Sequence, residues 1–72
     1  MLGEELRKAR LAAGLTQEEL SFRANTHRVY ISELERNKKS PTMDALFRIC
    51  DALGISASTI IARVERAQKK KH

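Results

Sequence analysis

Between Asn25 and Arg36 the chain reads NTHRVYISELER, a run whose side chains suit contact better than they suit helix stability. Wound as a helix at about 100° per residue, it separates into two faces. Ile31 and Leu34 fall on one side, with His27 and Glu35 at its edges. The opposite arc holds Arg28, Val29, Ser32, Glu33 and Arg36, with Tyr30 at the flank. A face kept only for solubility would carry Glu, Lys and Gln, which favour helix. Arg, Val, Ser and Tyr instead supply a guanidinium fork for guanine, a methyl surface for thymine, and hydroxyls for base edges or phosphate. This is the chemistry of recognition. For covalent chemistry the sequence offers neither a carboxylate pair nor a nucleophile–base set nor a glycine-rich phosphate loop, so no enzyme is expected.

The surrounding elements have to position that arc within a small volume. Seventy-two residues make one small domain, which buries only about 60% of the surface its unfolded chain exposes and has no room for a deep cleft. No apolar run approaches the length of about 18 residues needed to suggest a membrane span, and Met1 to Ala13 lacks the unbroken apolar stretch of a signal peptide. A cytoplasmic, nucleoid-associated protein is therefore expected, without a membrane partner. Cys50, the single cysteine, excludes an internal disulfide; with only His27 and His72 beside it, no metal site or other cofactor is expected. Its apolar helical setting marks it as a small core residue. The net charge is +5, unevenly spread: residues 1–35 carry five Lys or Arg against six Asp or Glu, and residues 36–72 carry nine against three. An anionic partner fits this asymmetry, as does a merely solvated basic tail.

Periodicity and punctuation predict five helices and no strand. Helix one places Leu2, Leu6, Ala9, Arg10 and Ala13 on one face and ends at Gly14. Thr16-Gln17-Glu18-Glu19 is a capping box opening helix two, from about Gln17 to Ala24. Asn25 tolerates the left-handed region and Thr26 can cap the next helix, leaving about three residues between the two and a sharp corner. Helix three then runs from about His27 to Arg36, up to the loop Asn37-Lys38-Lys39-Ser40-Pro41. Thr42 caps helix four, with Met43, Leu46, Phe47, Ile49, Cys50 and Leu53 as a broad apolar stripe ending at Gly54. Ser56 caps helix five, where Ala57, Ile60, Ile61 and Val64 recur at helical spacing. Residues 1–66 form the domain, and 67–72 are expected to fray into a basic tail. Helices this short must share one core, so the fold expected is a compact all-α bundle.

The stretch from Gly14 to Ser56, with Leu-Thr-Gln-Glu-Glu-Leu followed by Tyr-Ile-Ser-x-Leu-Glu-Arg, resembles the Xre-type helix-turn-helix family of lambdoid phage repressors and Cro proteins. The resemblance covers about Leu2 to Val64, and the HRVYIS run is similar to restriction–modification controllers, which usually have Thr where Val29 stands. It implies a five-helix, lambda-repressor-like DNA-binding domain with the helix-turn-helix at helices two and three, and a homodimer on a palindromic operator with helix three in the major groove. Asn25 and Asn37 stand where the family usually has Gly, both left-handed substitutes.

Carried over by position, Arg28, Val29, Tyr30 and Ser32 fall where the family reads bases. Arg28 would fork onto guanine and Val29 would meet a thymine methyl. Tyr30 either contacts base, sugar or phosphate or packs its ring half on the core. Glu33 either accepts from cytosine N4 or keeps the surface soluble. Thr16 and Gln17, at the positive end of helix two, suit phosphate; Arg36, Asn37, Lys38, Lys39 and Ser40 would clamp further phosphates or form a solvated loop. His27 is either another phosphate contact or a plain N-terminal residue. The resemblance also places a buried salt bridge between Arg10 and Glu35, each at the edge of an apolar face. Ile55, Ile60, Ile61 and Val64 exceed what the core requires and fit the family's dimer seam, although capping of the core accounts for some of them. Phe22, on the polar side of helix two, either packs under helix one or faces a partner.

The expectation is a sequence-specific DNA-binding transcriptional regulator, a repressor more than an activator. A restriction–modification controller, a phage-type switch and an antitoxin with a toxin partner are variants of it. The rival is a protein-interaction module binding DNA only weakly and nonspecifically, through Lys69, Lys70 and Lys71. RNA binding is a weaker option, because single-strand readers generally expose several aromatics.

Overall fold

In a computed structural model, residues 1–69 are described, and they form five helices and no strand. The helices are α1 (Leu2–Ala12), α2 (Gln17–Arg23), α3 (Arg28–Glu35), α4 (Met43–Leu53) and α5 (Ala57–Lys69). They wrap one core built from Leu6, Ala9, Leu15, Leu20, Ala24, Ile31, Leu34, Leu46, Ile49, Cys50, Ala57 and Ile60. Every helix contributes to it, as expected for elements too short to be stable alone. Cys50 is buried in that core, which pushes its thiol pKa up and leaves it a packing residue.

Local signals define the helix ends. The Thr16 hydroxyl accepts from Glu19 N–H at 3.0 Å while Glu19 accepts from Thr16 N–H at 2.9 Å, the reciprocal capping box. That bond pushes the Glu19 carboxyl below its ordinary pKa. Thr42 caps α4 through Ala45 N–H at 3.1 Å, and Ser56 accepts from Thr59 N–H at 3.3 Å at the start of α5. The first four helices end alike. A residue with positive φ (Gly14, Asn25, Asn37, Gly54) lets the next N–H turn back: Leu15 to Arg10 O, Thr26 to Ser21 O, Lys38 to Glu33 O, and Ile55 to Cys50 O.

This motif corrects the start of α3. Thr26 belongs to the turn that closes α2, its N–H donating to Ser21 O, and the N-cap falls one residue later on His27, which is extended (φ −98°, ψ 146°) and makes no side-chain cap bond. The expected Thr26 cap does not form. The far end of α5 also differs from expectation: Ala67, Gln68 and Lys69 continue the helix. The remainder of the expected tail, residues 70–72, lies outside the described residues.

The apolar stripe of α4 is wider than the core needs. Met43 and Phe47 are 58% and 55% exposed, one turn apart, while Leu46, Ile49 and Cys50 fill the interior. Ala13, expected on the inner face of α1, is exposed as well.

Candidate nucleic-acid interface

The inner face of α3 is fixed by packing and by charge. Ile31 and Leu34 are buried, and beside them Glu35 meets Arg10 in a two-pronged pair: Nε donates to Oε2 at 2.6 Å and Nη2 to Oε1 at 3.0 Å. The remaining guanidinium nitrogen, Nη1, donates to Leu15 O at 2.8 Å, and Gln17 Nε2 donates to Glu35 Oε1 at 3.1 Å. The carboxylate beside it holds the Arg10 guanidinium above its ordinary pKa. Arg10 of α1 and Gln17, the first residue of α2, thus converge on the one carboxylate that α3 supplies, and Leu15 in the turn between them holds the far side of the guanidinium. Among the described residues no buried side-chain nitrogen or oxygen lacks a partner, which is the condition under which a buried ion pair holds a geometry rather than weakening it.

The C-terminal end of α3 is tied by a second set of bonds. Gly3 N–H donates to Asn37 Oδ1 at 2.9 Å, and Asn37 Nδ2 donates to Glu4 Oε1 at 2.8 Å. The Asn37 bond is the largest cause holding the Glu4 carboxyl down at about 2, and the Met1 ammonium, 3.0 Å from Oε1, adds to it. A Cβ at position 3 would lie 2.5 Å from the carbonyl oxygens of both Leu34 and Glu35, so only glycine permits this approach. The positive end of the α1 dipole therefore rests on the negative end of α3.

The outer face is open by contrast. Arg28 and Val29 are exposed; Ser32 and Glu33 are half-buried. Tyr30 is also half-buried, its ring packed against the core cluster. Arg36 is exposed and folds back along its helix, Nε donating to Ser32 O at 3.3 Å. Lys38, Lys39 and Ser40 are exposed in the following loop, where Lys39 Nζ lies 3.4 Å from Glu33 Oε1. The structure brings His27, Val29, Tyr30, Glu33 and Lys39 around one open groove of about 560 Å³, completed by Thr26, Thr42, Ala45 and Arg48.

Three residues expected at phosphate are otherwise engaged. The Thr16 hydroxyl accepts the α2 cap bond and keeps its own proton to donate, Gln17 turns its amide inward to Glu35, and Asn37 bonds α1 through both ends of its amide. Thr16 serves its own helix end, whereas Gln17 and Asn37 lie where two helices meet and a nearby backbone or carboxylate group engages them. The expected seam changes too. Ile60 is fully buried in the protomer core and presents nothing to a second chain; Val64 and Ile55 are half-buried, and Ile61 is 41% exposed. Phe22 does not pack under α1 and is 86% exposed. Sequence reasoning gave no role to Gly3 or Glu4. Their partner Asn37 lies more than thirty residues away, and no local pattern announces the contact.

A short pair of helices at a sharp corner, the second presenting an open polar arc from a locked inner face, defines a helix-turn-helix DNA-binding domain. The helix-turn-helix family model matches residues 6–60, and the chain belongs to this Xre-type family of DNA-binding transcription regulators. It is 38% identical to an uncharacterized HTH-type transcriptional regulator of Sinorhizobium fredii, over 78% of this chain and 73% of that protein. Among solved structures, a point mutant of the restriction–modification controller C.Esp1396I superposes with a TM-score of 0.88 at 32% identity, covering 99% of this chain and 92% of that one. The biofilm regulator SinR, in complex with DNA, superposes with a TM-score of 0.81 at 27% identity over 85% and 98% of the two chains.

Proposed function

We propose that this regulator binds a two-fold-symmetric operator as a homodimer, laying the outer face of α3 in the major groove and repressing transcription by excluding polymerase. The observation that carries this reading is the exposure of Arg28 and Val29 on a helix whose opposite face is locked by a buried ion pair. A fork and a methyl surface held at fixed orientation can discriminate bases, because hydrogen bonds to base edges demand geometry that a mobile helix does not keep. Arg28 reads guanine, Val29 meets a thymine methyl, and Ser32 adds a hydroxyl. The half-buried ring of Tyr30 leaves its phenol edge for sugar or phosphate. His27, Arg36, Lys38, Lys39 and Ser40 flank that arc as the phosphate-contacting set.

Self-association runs through α4 and α5. Phe47 and Ile55 line one groove there, and Ile61 is exposed nearby in sequence on α5. Covering these side chains with a second copy would remove apolar surface that the protomer leaves in water. The likeness to C.Esp1396I makes the upstream region of a restriction–modification gene pair one operator to try.

The test is selection from a random DNA library near physiological salt, with the unaltered protein and with Arg28→Ala. An inverted repeat with half-sites one helical turn apart, about 34 Å, is expected. Arg28→Ala should relax one symmetric guanine position, at about 1–3 kcal/mol per half-site. Indiscriminate binding by both proteins would overturn the reading.

A further inference from the structure

The outer face of α3 carries one group that repels DNA. Glu33 sits one turn beyond Val29, with its side chain 28% exposed, on the rim of the groove that Val29 and Tyr30 line. Its carboxylate only accepts hydrogen bonds, so in the major groove its complements are the amino groups of cytosine and adenine. Off DNA it faces Lys39 Nζ at 3.4 Å. Of the other nearby cations, Arg48 pairs with Asp44 at 2.8 Å and Arg36 donates one nitrogen, Nε, to Ser32 O, whereas the salt bridge to Glu33 is made by Lys39.

We propose that Glu33 couples base reading to phosphate contact, holding Lys39 on DNA of the wrong sequence and releasing it to phosphate when a base amino group takes its place. This rests on the DNA-reading function proposed above. On non-matching DNA, a Lys39 that swings to phosphate leaves a half-buried carboxylate unpaired beside a polyanion, so the lysine stays where it is. On matching DNA the amino group donates to Glu33, and the freed ammonium adds a phosphate contact. The pair suits exchange because it is long and more than half exposed on the lysine side, unlike the buried Arg10–Glu35 pair.

Salt dependence of binding separates the two kinds of contact, since each phosphate neutralised adds about 0.9 to the slope of log K against log salt. The measurement compares a selected operator with a scrambled duplex of equal length, for the unaltered protein, Glu33→Gln and Lys39→Ala, with thermal melts to verify folding. The unaltered protein should show the steeper slope on the operator. Glu33→Gln should steepen the scrambled slope by about 0.9 per protomer and raise scrambled affinity about two- to fivefold, lowering the operator preference. Lys39→Ala should flatten the operator slope by the same amount and leave the scrambled slope unchanged. If Glu33→Gln binds scrambled DNA with the original slope and affinity, or if Lys39→Ala flattens both slopes equally, the coupling is overturned while operator reading stands. If the unaltered protein shows no operator preference, operator reading falls and the coupling falls with it.

Discussion

The inner face of α3 keeps its side chains in fixed places, with Ile31 and Leu34 in the core and Glu35 shared between Arg10 and Gln17, whereas the outer face a few ångströms away leaves Arg28 and Val29 in water. The same eight-residue helix carries both. Orientation and contact are thus assigned to different residues, so a change on one face should alter stability and a change on the other should alter recognition.

The largest effect is expected at the ion pair. Arg10→Ala strands the buried Glu35 carboxylate and should cost about 3–5 kcal/mol, read as a fall in melting temperature; an unchanged melt would remove the bridge from the account. Ile31→Ala opens a cavity under α3 and should cost about 2–5 kcal/mol in denaturant unfolding. Gly3→Ala forces a methyl against the Leu34 and Glu35 carbonyls and should cost about 1–3 kcal/mol; because α1 must shift, Gly3 N–H should lose its protection from hydrogen exchange.

A smaller effect belongs to Glu4, whose carboxylate is held by Asn37 and, next, by the Met1 ammonium. Glu4 is lowered from 4.5 to about 2 in the folded protein, so its contribution is present above pH 4.5 and is lost as the pH falls towards 2. Glu4→Gln should remove that part of the acid dependence in a pH series of melts. The smallest change is expected at Val29→Ala, within about 0.5 kcal/mol of the unaltered stability, with base preference altered at one operator position. A destabilisation as large as that of Ile31→Ala would show that the two faces are not separate.

Much of this arrangement was legible beforehand. The two-faced wheel of α3, the capping box at Thr16 and the left-handed ends at Gly14 and Asn25 all depend on residues within one or two turns of each other. The start of α3 lies one residue beyond the expected one, because the turn that closes α2 extends through Thr26 and helical geometry begins only after His27. Glu33 was read in the sequence as either a cytosine acceptor or a solubilising charge; its lysine partner emerged only from the path of the loop.

Local patterns therefore determine the helices, their ends and the composition of the outer arc of α3. Tertiary packing decides which borderline side chains go where. Gln17 and Asn37 turn to protein because α2 and α1 meet α3 beside them; Ile60 enters the core, while Met43, Phe47 and Phe22 remain outside. Hydrophobicity and polarity are properties of a residue, but burial belongs to a position among neighbours distant in sequence, and a domain this small has interior space for only some of its apolar side chains.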